Sequence, residues 1–285
     1  MVFGGGPDRG YGPRRRGLGG ARLLVGVLVA GFAILSYCNQ RSKNPITGET
    51  QYVAITPEQE IALGLESTPE MMRQFGGPSD EPEAAAAVAR VGQQIVASSD
   101  AAKSGYEYHF TLLDDEKTVN AFALPGGPVF ITEALFARLK TEGQLAGVLG
   151  HEVGHVIARH SAQRIAQQQL TQGLTGALIL STYDPNDPGS ANTARMAMVI
   201  GSLVNMKYGR EDELESDRLG VRLMAQSGYD PRSLIDVMQI LEDASGGQAP
   251  PEFMSTHPSP GNRAGEIERA IAHEFPNGLP QGLVP

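Results

Sequence analysis

Cysteine is nearly absent from this chain: Cys38 stands alone among 285 residues. No intrachain disulfide can form, and neither a CxxC redox site nor a cysteine-based zinc ribbon can be built. Any bound metal must therefore rely on His, Asp or Glu. Histidine is scarce too, six in all. Positive charge is in deficit, with 32 Asp and Glu against 23 Lys and Arg and a net charge of −9. Residues 1–22 hold five arginines and one aspartate, so they carry +4 and the rest carries −13. An acidic body argues against nucleic acid as a partner. There is no internal repeat. Past the amino terminus no apolar run approaches the roughly 20 residues of a spanning helix. "GLTGALILSTY" and "MAMVIGSLVNM" are too short and suit a soluble core or a face resting on a membrane. Their brevity argues against an integral membrane enzyme working on lipid-embedded substrates. The remaining balance, 41% apolar and 19% charged, is that of a globular chain with a sizeable core in one or two domains.

The amino terminus differs from the body. Residues 1–22 are rich in Gly and Arg and are expected to be disordered. Leu23 to Tyr37 is apolar, with Arg14, Arg15, Arg16 and Arg22 before it and Asn39, Gln40, Arg41 and Lys43 after it. Residues 23–38 are read as an uncleaved signal anchor whose arginines keep the terminus cytoplasmic and send the body across the membrane. Two alternatives stand beside it. A cleaved secretory signal lacks a clean A-x-A site, and a lipoprotein signal at Leu35-Ser36-Tyr37-Cys38 has bulky Tyr37 where a small residue belongs. Residues 39–56 are expected to be a linker, 57–275 a catalytic domain and 276–285 a tail.

Within the body, Thr56-Pro57-Glu58-Gln59 reads as an N-cap with Pro at the first helical position, opening a helix from Pro57 to about Phe75. "EPEAAAAVARVGQQIVASS" is a second helix. "YEYHFTLLD" alternates as a strand, with Tyr106, Tyr108 and Phe110 on one face and His109 on the other. "TVNAFALPGGPVFITEAL" reads as two short strands joined by a turn at Pro125-Gly126-Gly127. Helices dominate from Ala134 onward. Two loops rich in Gly, Pro, Ser and Asn, 181–192 and 244–262, have the length of lids or site walls, and the first is a candidate gate.

Three of the six histidines fall in "HEVGHVIARH". Thr141-Glu142-Gly143-Gln144 fits a capping box. The helix it starts has an apolar stripe of Leu145, Val148, Leu149, Val153, Val156 and Ile157 and is expected to run on through "HSAQRIAQQQ". His151 and His155, four apart, share one face with Cβ atoms about 5–6 Å apart, so both imidazoles can reach one ion. Glu152, turned by about 100°, is placed to take a proton from water at that ion. This is the H-E-x-x-H arrangement of a zinc protease. His160, nine residues past His151, is half a turn out of phase and is read as structural or exposed, not a ligand. A catalytic zinc needs three protein ligands and an open position. No H-x-x-H-x-x-G-x-x-H extension follows, so the third ligand should be a carboxylate. "YGREDELESDRLGVRLMAQSGYDP" offers Glu211, Asp212, Glu213, Glu215 and Asp217 on a helix ending at Gly228. Glu213 and Asp217 share a face, so one can bind metal while the other accepts a bond from a ligand histidine. Spacing alone leaves a solvated face partnered by Arg218 and Arg222 equally open.

"HEVGH" followed by "ELESD" resembles the membrane-associated zinc endopeptidases of the HtpX, Oma and CAAX-prenyl-protease family, whose second motif is E-x-x-A-D; Ser216 stands where Ala is usual. "NPITGETQYVAITPEQEIALG", "NAFALPGG" and "HEVGHVIARHSAQR" are most similar to its periplasmic BepA/LoiP-like branch, over residues 44 to 275. The resemblance implies a mainly α (α+β), zincin-like fold with a small sheet and one Zn²⁺ held by His151, His155 and Glu213, with Asp217 behind them. It directs attention to "STHPSPGNR", where His257 and Arg263 are expected to enter the site and steady the oxyanion, His257 alternatively being a resting zinc ligand. Asn120, Ala121, Phe122 and Ala123 are expected to pair with an extended substrate. Read without the resemblance, His257 is an exposed loop residue and Asn120–Ala123 an ordinary hairpin. The expected function is a membrane-tethered zinc metalloendopeptidase acting on protein substrates outside the cytoplasm, in envelope quality control. The rival reading is a non-catalytic, chaperone-like module with a closed zinc site.

Overall fold

The computed structural model of the protein describes residues 17–182, 208–245, 251–258 and 262–285. The chain falls into two compact units. The smaller contains residues up to Ser36 together with Leu170–Leu203; the larger contains Tyr37–Gln169 and Val204–Pro285.

In the smaller unit, helix α1 (Gly17–Asn39) contributes its length up to Ser36. Its Gly20–Asn39 stretch is long and apolar enough to cross a membrane, longer than the expected residues 23–38. Leu24, Leu28, Phe32 and Leu35 are exposed. Gly26 lets α1 approach the backbone of Ala177 and Ser181, where a Cβ would come within 2.8 Å of the Ala177 carbonyl oxygen.

The larger unit opens with a hairpin, β1 (Arg41–Lys43) and β2 (Thr50–Tyr52), within the stretch expected as a linker. It is tied to the body by Asn44, whose Nδ2 donates to the Ile157 carbonyl at 2.7 Å. Helix α2 (Pro57–Gln74) starts at a full capping box between Thr56 and Gln59. Helix α3 (Pro82–Ala97) buries Val88, Val91 and Ile95, and a 3-10 turn follows at Asp100–Lys103. Strand β3 is His109–Leu113, shorter than the alternating run, yet Phe110 is buried and His109 exposed as the alternation requires.

Strands β4 (Ala121–Ala123) and β5 (Pro128–Thr132) form the expected antiparallel hairpin. Positive φ values at Gly126 (79°) and Gly127 (130°) make its turn. β5 also pairs parallel with β3, giving the order β3-β5-β4 with β4 at an edge. All five residues of β5 are buried.

A short α4 (Glu133–Phe136) leads to α5 (Glu142–Ile157), the centre of the unit. Every residue of α5 from Gly143 to Ile157 is buried. The six stripe residues each contribute on the order of 1.5–3 kcal/mol of burial. Thr141 caps the helix by accepting from Gln144 N. The capping box is incomplete, because the Gln144 side chain accepts from Lys140 N rather than Thr141 N. The continuous helix expected through residue 169 is broken. α5 ends at Ile157, Arg159 turns to φ 59°, and α6 (His160–Thr182) starts anew.

The remaining elements among the described residues are α7 (Arg210–Gln226), α8 (Ser233–Ser245), α9 (Glu252–Thr256) and α10 (Arg263–Glu274). α7 ends before Gly228, at φ 88°. The expected tail returns to the body: Gly143 N donates to Pro285 O at 3.0 Å and Asp230 N to Val284 O at 2.8 Å. Most of the two expected loops, 183–192, 246–250 and 259–261, lies outside the described residues.

Candidate metal centre

Helices α5 and α7 supply most of the site, and small residues let them touch. A Cβ on Gly154 would lie 2.9 Å from the Ser216 backbone oxygen. Ser216 is fully buried and its hydroxyl donates to the His151 carbonyl, so this small residue also ties the two helices together.

His151, His155, Glu213 and His257 each present a ligand atom, all within 4.8 Å of one another and all buried. The Nε2 atoms of His151 and His155 are 3.1 Å apart. Glu213 oxygens lie 3.4 Å from the first and 3.5 Å from the second. His257, the residue after α9, reaches the same point with Nδ1 3.1 Å from Glu213 Oε1. It is 1% exposed, stacked on Phe253 at 4.5 Å between ring centroids, and is thus no exposed loop residue. Phe253 is itself pinned, its N–H donating to Val119 O at 3.2 Å just before β4.

Around this cluster stands a charged ring. His151 Nδ1 is 2.9 Å from Asp217 Oδ1. Asp217 accepts two bonds from Arg263, from Nε and Nη2, both at 2.7 Å. Arg263, expected beside the oxyanion, directs its guanidinium at Asp217 and the His151 ring instead, with Nη2 3.1 Å and 3.2 Å from the two ring nitrogens. The reason is electrostatic: a buried carboxylate and a buried guanidinium each need the other. On the far histidine, His155 Nδ1 lies 2.8 Å from His160 Nδ1. Tyr208 stacks on the His155 ring at 4.3 Å, with Arg164 over its own ring at 4.4 Å.

The electrostatics follow from these contacts. Burial and Arg263 oppose a charge on His151, but bonds to Asp217 and Glu213 outweigh them and push its pKa up to about 9. Burial holds His155 well below its ordinary value despite Glu213. Burial also opposes charge on Glu213 and Asp217. The three neighbouring histidines overcome it at Glu213, and Arg263 with His151 does so at Asp217, so both carboxyls lie below the usual range. Glu152 goes the opposite way: burial raises it, and His257 and His151 offset only part of that rise.

Neither Glu152 oxygen has a hydrogen-bond partner among the described residues, and the same holds for Glu213 Oε2 and His257 Nε2. Buried polar atoms are normally satisfied. When Asp217 takes the His151 Nδ1 proton and the ring carries no second one, the Nε2 lone pair faces that of His155 and the Glu213 carboxylate. Lone pairs so close repel unless a cation or proton lies among them, so the donor set fits a metal ion. Position 213 is the carboxylate that converges with the two imidazoles.

The comparisons agree with this chemistry. Residues 82–271 match the model of Peptidase family M48. The chain belongs to peptidase family M48. It is similar to the "Beta-barrel assembly-enhancing protease" of Yersinia pestis, 30% identical over 252 residues that make up 85% of this chain and 50% of that one. The protein of the same name from Escherichia coli strain K12 is 28% identical over 254 residues, 84% of this chain and 49% of that one. The "Mitochondrial metalloendopeptidase OMA1" of Schizosaccharomyces pombe is 30% identical over 250 residues, 86% of this chain and 70% of that one. This M48 chain thus spans about half the length of the beta-barrel assembly-enhancing proteases it matches.

β4 runs past the centre: Ala123 and His155 line one small cavity with Glu60 and Arg159. Asn120 O accepts from Thr132 N, and Leu124 N donates to Pro128 O. Phe122 is therefore the inward-bonded residue of the strand, and the backbone groups of Ala121 and Ala123 point to the free edge. Sequence reasoning missed Tyr208 and the Glu60–Arg159 pair. Tyr208 had a signal, since it stands two residues before the acidic helix; Glu60 had none.

Proposed function

We propose that this M48 chain is a zinc metalloendopeptidase hydrolysing peptide bonds of protein substrates, with His151, His155 and Glu213 as zinc ligands and Glu152 as general base. The observation that supports it most is Glu152, 1% exposed and without a hydrogen-bond partner among the described residues. A buried carboxylate that accepts no hydrogen bond and is only partly offset by the neighbouring histidines costs on the order of several kcal/mol, a cost explained if its task is to hold a proton. Zinc, when bound, supplies Lewis acidity that acidifies water and polarises a carbonyl. Glu152 takes the proton of that water and returns it to the leaving amine. Burial raises its pKa, the direction that favours a group that must both take and return a proton. Asp217, held by Arg263, accepts the His151 Nδ1 proton and so keeps Nε2 directed inward. His257 Nε2, 3.7 Å from Glu152 Oε1, is the proposed donor to the oxyanion. The outward backbone groups of Ala121 and Ala123 take an extended substrate as an added strand.

We further propose that α1 is a membrane anchor with the body outside the cytoplasm, supported by the arginines preceding it. The names of the relatives support envelope protein quality control as its setting.

A second reading has one observation in its favour. His257 makes the donor set four, the number of a closed structural zinc site, as expected of a non-catalytic chaperone-like module. Glu152→Gln in the full chain separates the readings. Under the first, zinc content stays and casein cleavage disappears. Biological activity unchanged in that variant would favour the second.

A further inference from the structure

We propose that His160 and Glu215 are positioning residues for His155, doing through a two-residue chain what Asp217 does directly for His151. The inference rests on the reading of His155 as a metal ligand. His160 is completely buried, and its Nδ1 lies 2.8 Å from His155 Nδ1. Two ring nitrogens at that distance share one proton, so one donates and the other accepts. If His155 Nε2 gives its lone pair to a cation, its proton resides on Nδ1 and is donated to His160 Nδ1. His160 must then carry its own proton on Nε2, which lies 3.4 Å from Glu215 Oε2. Each tautomer dictates the next, and the chain ends on a carboxylate with a fifth of its side chain exposed.

The break between α5 and α6 makes this possible. On an unbroken helix, five residues place His160 well off the His155 face. Instead Arg159 takes a left-handed φ of 59°, a conformation that a non-glycine residue keeps only where its surroundings hold it. Its Nε donates to Glu60 at 2.7 Å and its Nη2 to the Ile55 carbonyl at 2.7 Å. Tyr106 donates its hydroxyl to the same Glu60 oxygen at 2.7 Å. This partly buried clamp holds the reversal that turns His160 back onto His155. His151 reaches its carboxylate directly at 2.9 Å. His155 has no carboxylate on its outer nitrogen among the described contacts, and His160 bridges the distance to Glu215.

The test is zinc affinity of the full chain, by competition with a chromogenic chelator, for wild type, His160→Ala, His160→Asn and Glu215→Ala. His160→Ala should bind zinc about 10–100-fold more weakly, the usual effect of losing a ligand's outer partner. His160→Asn, whose side-chain oxygen can accept the His155 proton, should recover most of that loss; Glu215→Ala should lose less than His160→Ala. Affinity of His160→Ala within twofold of wild type would overturn the proposal, as would an Asn variant as weak as the Ala variant. A wild type that binds no zinc would instead defeat the metal-site reading itself. Should the His160 variants fail to fold, imidazole ¹⁵N spectra of zinc-loaded wild type still decide. The proton must be on Nδ1 of His155 and Nε2 of His160, and the reverse assignment at His160 would refute the chain.

Discussion

Two buried polar clusters lie beside each other at the end of α5, and they are satisfied very differently. In one, Glu60 receives both Arg159 and Tyr106, charge matched by charge. In the other, Glu152 and Glu213 face His151, His155 and His257 with four atoms left without hydrogen-bond partners among the described residues. The second is closed off from solvent, and the first only partly, with 13% of the Arg159 side chain exposed. The difference teaches which cluster serves the fold and which is held ready for something else. A complete network rigidifies; a buried incomplete one is retained at a cost to stability when function requires it.

Breaking the comparison begins with its largest expected effect. Glu152→Gln should lower peptidase turnover by about 10²–10⁴-fold or more, the range assigned to a general base, while zinc measured by atomic absorption stays at one per chain. Next comes the satisfied cluster. Glu60→Ala strands the Arg159 guanidinium, and breaking a buried pair this way costs about 3–5 kcal/mol, read as a lower midpoint in urea. The sharpest contrast uses one substitution in both places, on zinc-free protein. Glu60→Gln should destabilise, whereas Glu152→Gln should leave stability unchanged or raise it by about 1–3 kcal/mol, since it removes a buried carboxylate that accepts no hydrogen bond. Equal losses from both would show that the two clusters do the same work.

A smaller effect tests the strand beside the centre. Ala123→Pro removes an outward N–H from an edge, where Pro is tolerated. It should raise KM for an extended peptide by about 3–10-fold, the worth of one hydrogen bond, and leave zinc content alone. An unchanged KM would remove β4 from the substrate site.

Much of this was legible in the residues. Thr56 and Gln59 announce α2 by local hydrogen bonds, and the α5 stripe announces an amphipathic helix, although the structure buries that helix on every side, the face of its histidines included. Positions 151, 152 and 155 follow from helical phase alone. The meeting of Glu213 with the two imidazoles is long-range, and only the paired motifs pointed to it. The break at Arg159 was illegible for a physical reason. Arginine has no preference for a left-handed φ, and what holds it there is Glu60, 99 residues earlier in the chain. On the unbroken helix expected there, His160 falls half a turn out of phase with His151 and so away from the site. The parallel pairing of β3 with β5 was hidden similarly, because alternation gives a strand its faces but not its neighbour. Arg263 was anticipated as part of the site, but its orientation depended on Asp217 becoming buried.

The most direct measurement is anomalous diffraction at the zinc edge from crystals of the full chain. One peak is predicted, about 2.0–2.2 Å from His151 Nε2, His155 Nε2 and a Glu213 oxygen. The account would be contradicted by zinc-loaded crystals with no peak there, or with a peak that Glu213 does not touch.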